Sequence, residues 1–207
     1  MRREAPTRHV RLPGLRPGGG VWHQARLLVS GLLVAAAPSL AAPAAAQTLL
    51  TQEEALDLAF PAPIRVERRT AYLSDAQLER ARVLAGGDVD IEQGIVTYYV
   101  GYGDTAATGV AYFDVHRVRT KNEVAMIVVD PDGRIRRVDV VKFAEPPEYR
   151  APEGWIDQLE GRPLDDALSV RSGIRNLAGA TLTARALTRA ARRTLALHAI
   201  IDPLGGP

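Results

Sequence analysis

Apolar and polar residues alternate in two different rhythms along this chain, and the rhythm changes near residue 90 and again near residue 144. Before the first change the spacing is helical. Thr51-Gln52-Glu53-Glu54 has a hydroxyl with a carboxylate three residues on, which predicts a capping box and a short helix through Phe60, ended by Pro61 and Pro63. Ser74-Asp75-Ala76-Gln77 predicts a second helix running to Ala85 and closed by Gly86-Gly87. Between them, Ile64 to Thr70 carries three arginines and reads equally as a strand or an exposed connector.

From Gly94 the rhythm shortens to that of strands. Four runs rich in β-branched and aromatic residues follow: Gly94–Tyr102, Gly109–Val118, Glu123–Asp130 and Arg134–Phe143. Asp130-Pro131-Asp132-Gly133 is a turn signal between the last two. Short connections favour an antiparallel meander of about four strands. Pro146 and Pro147 then exclude a further central strand. Glu153 to Leu159 reads as a short helix with Trp155 and Leu159 on one side, stopped by Gly161 and Pro163. Ala184 to Ile201 reads as a long amphipathic helix. Its apolar stripe is Leu187, Ala190, Ala191, Thr194, Leu197 and Ile201, and Arg185, Arg189, Arg192 and Arg193 form a basic face. The expected fold class is α+β, an antiparallel sheet flanked by helices.

Composition changes this picture mainly at the N-terminus. Arginines at 2, 3, 8, 11, 16 and 26 stand against one acid, Glu4; the apolar run Leu27–Ala37 follows, and Ala44-Ala45-Ala46 supplies small residues for cleavage. This is the pattern of a secretory signal peptide over 1–46, with an uncleaved anchor as the alternative. The expected organisation is therefore a leader (1–46), an N-terminal helical segment (47–90) and a main domain (91–207). The whole chain has 26 basic and 24 acidic residues; setting aside the leader's six arginines and one acid leaves 20 and 23, a net of −3. The basic balance of the full chain thus gives no support for nucleic-acid binding. With no cysteine, disulfides, thiolate metal sites and haem attachment are excluded. The remaining roughly 160 residues suffice for one ordinary core.

Few residues carry recognisable chemistry. His9 and His23 lie in the leader, and His198 lies in the last helix. His116 sits in the polar run Asp114–Thr120 without a second histidine near it, so no metal site is expected. No GxSxG, GxGxxG, HExxH or Walker loop is present. The concentrated signal is Leu177-Ala178-Gly179-Ala180-Thr181-Leu182-Thr183, directly before the last helix. Small residues at 178–180 permit close approach to the backbone, and two hydroxyls follow. A helix start offers unpaired N–H groups and about half a positive charge, which suits a phosphate. The plainer alternative is that Thr181 is simply a helix cap.

Gly179-Ala180-Thr181-Leu182-Thr183 and the helix behind it resemble the flavinylation motif of FMN-binding domains, which are similar to the periplasmic subunits of sodium-pumping NADH:quinone reductases and Rnf-type electron-transfer complexes. The family motif reads Asp-x-x-Ser/Thr-Gly-Ala-Thr, and its final Thr carries FMN through a phosphoester. The resemblance covers roughly residues 90–200 and places that Thr at Thr181. Two positions depart from it: Arg175 stands for the Asp and Ala178 for the Ser/Thr. Glu145-Pro146-Pro147-Glu148 stands where the family has Glu-Thr-Pro-Gly.

The resemblance implies an exported, extracytoplasmic flavoprotein that transfers electrons, with FMN as cofactor. Its implied partners are a flavin transferase for attachment and redox proteins at the membrane. Thr181, Gly179, Ala180, Leu182, Thr183 and Ala178 would form the attachment site, with Glu145, Tyr149 and Trp155 near the flavin. Non-covalent binding of FMN or another phosphate ligand, and a cofactor-free interaction protein, are the alternatives.

Overall fold

The computed structural model describes residues 47–205, so the leader and its two histidines lie outside the described residues. The fold is α+β: six antiparallel strands in one sheet, with four helices packed on its faces and ends. In chain order these are β1 (Gln47–Thr48), α1 (Gln52–Ala59), β2 (Arg65–Tyr72), α2 (Asp75–Ala85), β3 (Ile95–Tyr102), β4 (Ala107–Arg117), β5 (Asn122–Val129), β6 (Ile135–Phe143), α3 (Glu153–Ile156) and α4 (Thr181–Ile201). The sheet order is β1-β6-β5-β4-β3-β2. The four expected strands are its centre; the two extra ones are its edges. β2 pairs with β3 along its whole length despite its arginines, because an edge strand can turn most of its side chains to solvent. β1 is two residues long, too short to leave a pattern, and pairs with β6. The 47–90 segment therefore contains two strands of the sheet as well as α1 and α2.

Alternation along the strands builds two apolar layers. One face sends Tyr98, Val100, Val110, Tyr112, Ala125 and Ile127 against Leu187, Ala190 and Ala191 of α4. The other sends Tyr99, Ala111, Met126, Val128 and Val141 against Ala55, Ala59 and Phe60 at α1. Phe60 lies directly on Gly101, where an added Cβ would fall 2.3 Å from its ring, so that position of β3 has room only for glycine. α2 packs against α4 through Leu78, Ala81, Ala85 and Ala196.

Strands β3 and β4 pair from Tyr98 opposite Tyr112 onward, but not before. Ile95–Thr97 stay with β2 and Phe113–Arg117 stay with β5, so the sheet opens there. The opening is a cleft of about 1000 Å³, floored on one side by Leu182, Arg185, Ala186, Arg189 and Arg193 of α4. Among the described residues no helix is long and apolar enough to cross a membrane.

Candidate functional site

α4 begins three residues earlier than its apolar pattern suggests, at Thr181 rather than Ala184. Its N-cap is Ala180, which has no side chain able to bond the first-turn N–H groups. Thr181 is therefore the first helical residue and not the cap, which corrects the plainer reading of it. The loop before it turns at Gly179, whose φ of +82° is left-handed backbone that glycine adopts without strain. Nothing lies within 4 Å of where a Cβ would stand there, and Ala178 is exposed beside it. The Ala180 N–H closes the turn on the Leu177 carbonyl at 3.2 Å.

The two hydroxyls of the motif have different fates. Thr181 is half-buried. Its Oγ1 makes two long contacts, donating to the Leu177 carbonyl at 3.3 Å and accepting from Asn176 at 3.4 Å. Weak bonds of this length leave the oxygen available. Thr183 is buried, and its Oγ1 donates to the Tyr149 carbonyl at 2.6 Å. It is committed to holding α4 against the segment after β6. Leu182 is 46% exposed.

The other candidates from the sequence converge on this end of the molecule, but two of them serve the scaffold. The Glu145 carboxylate accepts the backbone N–H groups of Thr120 at 2.5 Å, Lys121 at 2.7 Å and Arg119 at 3.2 Å. Burial opposes its charge, but the bonds from Thr120 and Lys121 outweigh it and hold the carboxyl below its usual range. Glu145 thus fixes the β4–β5 hairpin loop, and that loop sets Arg119 with its guanidinium 4.6 Å from the Tyr149 ring centre. Trp155 is buried and donates from Nε1 to the Arg175 carbonyl at 2.6 Å. Gln158 accepts the Arg175 N–H at 2.9 Å. These two bonds hold the loop that carries Ala178 and Gly179. Tyr149 is the partly exposed aromatic of the group.

The basic face of α4 is not a simple solvated stripe. Arg192 donates to the carbonyls of Ala85, Asp165 and Leu168. Arg193 makes a two-pronged pair with Asp114 at 2.7 and 2.8 Å, and Arg189 pairs with Asp88 at 3.4 Å. Arg185 makes no hydrogen bond or ion pair among the described residues.

Asp114 continues into a chain that the sequence did not reveal. His116 Nδ1 bonds Asp114 and its Nε2 bonds Glu123, both at 2.8 Å, and the pair faces α4 across neighbouring strands. Burial works against charge on His116, yet the bonds to Asp114 and Glu123 prevail and raise its pKa to about 9. Glu123 is completely buried and its Oε1 has no protein partner. Alternation could have found this chain: positions 114 and 116 share the inward face of β4.

α4 starts without a side-chain cap and without an acid in its first turn, beside an exposed glycine and a half-buried hydroxyl, a combination compatible with an anionic group. Such a start suits a phosphate-bearing group. Residues 120–196, which contain both the Glu145-anchored hairpin and the start of α4, match the FMN-binding domain family, and FMN is the cofactor of that domain. No curated protein and no solved structure matches the chain.

Proposed function

We propose that the protein is an exported electron-transfer flavoprotein with FMN joined by its phosphate to Thr181 Oγ1. One observation carries the reading: the longest helix starts uncapped at a half-exposed hydroxyl, inside a matched FMN-binding domain. Attachment forms an Oγ1–P bond; the hydroxyl proton and the leaving group of an activated flavin donor depart, through a flavin transferase. Bound FMN supplies the redox chemistry. The chain's own residues orient it. First-turn N–H groups would hold the phosphate, Gly179 leaves the approach open, and Tyr149 would offer an aromatic face. Glu145, Trp155 and Thr183 hold those groups in place. Redox proteins at the extracytoplasmic face of the membrane would be the electron partners. Arg175 and Ala178, standing where the attaching enzyme's motif has Asp and Ser/Thr, bear on how well that enzyme reads this chain.

Intact mass of the exported protein, co-expressed with a flavin transferase, tests this. Wild type should gain the mass of one flavin mononucleotide less water, and Thr181→Ala should gain none. Thr183→Ala should keep the addition, since that hydroxyl is spent on the Tyr149 carbonyl. An unmodified wild type that nevertheless turns yellow with added FMN and loses the colour on dialysis would remove the covalent bond and keep the binding module. A protein that takes up no flavin in either form would sink the reading.

A further inference from the structure

We propose that the opening between β3 and β4 is a docking groove for an extended, acidic segment of a partner protein, which enters the sheet as an inserted strand. The inference stands on how the strands pair and does not depend on a flavin. β3 pairs with β2 down to Ile95, and β4 pairs with β5 down to Arg117, but the two pair with each other only from Tyr98 and Tyr112 onward. Residues 95–97 and 113–117 therefore each turn a row of backbone N–H and C=O groups toward a cleft of about 1000 Å³. The divergent stretch of β4 is held by its other neighbours. Asp114 takes the two-pronged pair from Arg193 of α4, and His116 bonds Glu123 of β5. The opening is thus built into the fold.

Two facing strand edges are chemistry for another extended chain. The side chains around them set what that chain carries. Alternation puts Ile95 and Val115 on the side away from α4, where they are 61% and 63% exposed. On the near side α4 supplies Arg185 and Arg189. Arg185 and Arg68 make no hydrogen bond or ion pair among the described residues. Arg117 has only a 3.4 Å bond to the Thr120 carbonyl, and Arg189 holds Asp88 at 3.4 Å with both side chains well exposed. Asp90 and Glu92 also line the opening, and neither forms an ion pair among the described residues. A strand with carboxylates toward α4 and apolar residues between them meets three needs at once: it pairs the open edges, covers Ile95 and Val115, and gives the arginines partners. The outer edge of β2 is also open, but there Arg65 and Arg69 are already paired with Glu67.

The test titrates the full chain, free of flavin, with a short capped peptide of alternating Glu and Val carrying a fluorophore, read by anisotropy. Three comparisons accompany it: the same peptide N-methylated at alternate residues, a Lys and Val counterpart, and hydrogen exchange of the protein with and without peptide. The Glu and Val peptide should bind. N-methylation should abolish binding, because it removes the backbone donors, and the Lys and Val peptide should bind about tenfold more weakly or not at all. New protection should fall on residues 95–97 and 113–117. Val115→Glu, at an exposed position, should weaken binding about tenfold, and Arg185→Gln severalfold, while Arg69→Gln on β2 should behave as wild type. Affinity should drop with added salt. No binding of the Glu and Val peptide overturns the proposal. So does binding that survives N-methylation, equal binding of the Lys and Val peptide, or new protection confined to the outer edge of β2.

Discussion

Helices α1 and α2 start in one way and α4 in another. Thr51 and Ser74 are N-caps that accept the N–H groups of Glu54 and Gln77, and each of those side chains returns a bond to its cap's backbone. Both helices also place acids in their first turns. α4, with 21 residues the longest, has none of these devices. The chain can therefore build good helix starts, and the bare one lies within the residues that match the FMN-binding domain. A finished cap spends the same N–H groups that a phosphate would use. The contrast is one of stability: the start of α4 lacks the side-chain partners that complete the other two.

The largest effect that separates the start of α4 from its remainder is a dependence on pH. The two histidines with large shifts pack along the middle and the end of the helix. His198 is half-buried against the Tyr112 hydroxyl at 2.9 Å, and loss of solvent lowers its pKa to about 4. Below an unfolded value near 6.5 the unfolded chain takes up this proton first, so stability falls as pH drops from 6.5 toward 4. His116 acts in reverse. Its pKa of about 9 means that its full stabilisation is present below 6.5 and is lost as pH rises to 9. Unfolding free energy from urea titrations should thus peak near pH 6.5 and fall on both sides by on the order of a few kcal/mol. His198→Gln should flatten the acid limb alone.

The contrast itself can be tested by giving α4 what the other helices have. Leu182→Glu would put a carboxylate on an exposed first-turn position. FMN affinity should fall about tenfold or more through like-charge repulsion, while the flavin-free protein should gain roughly 0.3–1 kcal/mol from the helix dipole. Higher FMN affinity in this variant would contradict the anion-site account. The smallest effect is expected at the other helices. Ser74→Ala should cost about 1 kcal/mol in thermal or urea unfolding and leave flavin binding untouched.

The same contrast explains what was legible in the sequence. Capping boxes, prolines and glycines are local, so the starts of α1 and α2 and the end of α2 were read where they lie, and the end of α1 one residue late. The four central strands followed from their β-branched runs, because those side chains suit a pleated, buried surface. The start of α4 was placed three residues late for want of a capping signal; the missing cap that marks the site also concealed its boundary. Strand β2 hid behind its arginines, and β1 was too short to show. Within the site, the Gly179–Thr183 motif was visible, but the duties of its neighbours were not. Glu145 binds a loop 24 to 26 residues away in sequence, and Trp155 reaches Arg175 across 20. Contacts of that range leave no periodicity to read. Arg185 looked like one member of a basic face until its three companions were seen to be engaged.

The exposed turn at Ala178 and Gly179 bears on when the cofactor could be installed. Under the proposed attachment, the Thr181 oxygen lies beside an open glycine at the rim of the fold, where an attaching enzyme reaches it without prising any layer apart. Maturation could then follow folding instead of competing with it. A chain still awaiting its flavin would already have its final shape, and loading could serve as a late checkpoint.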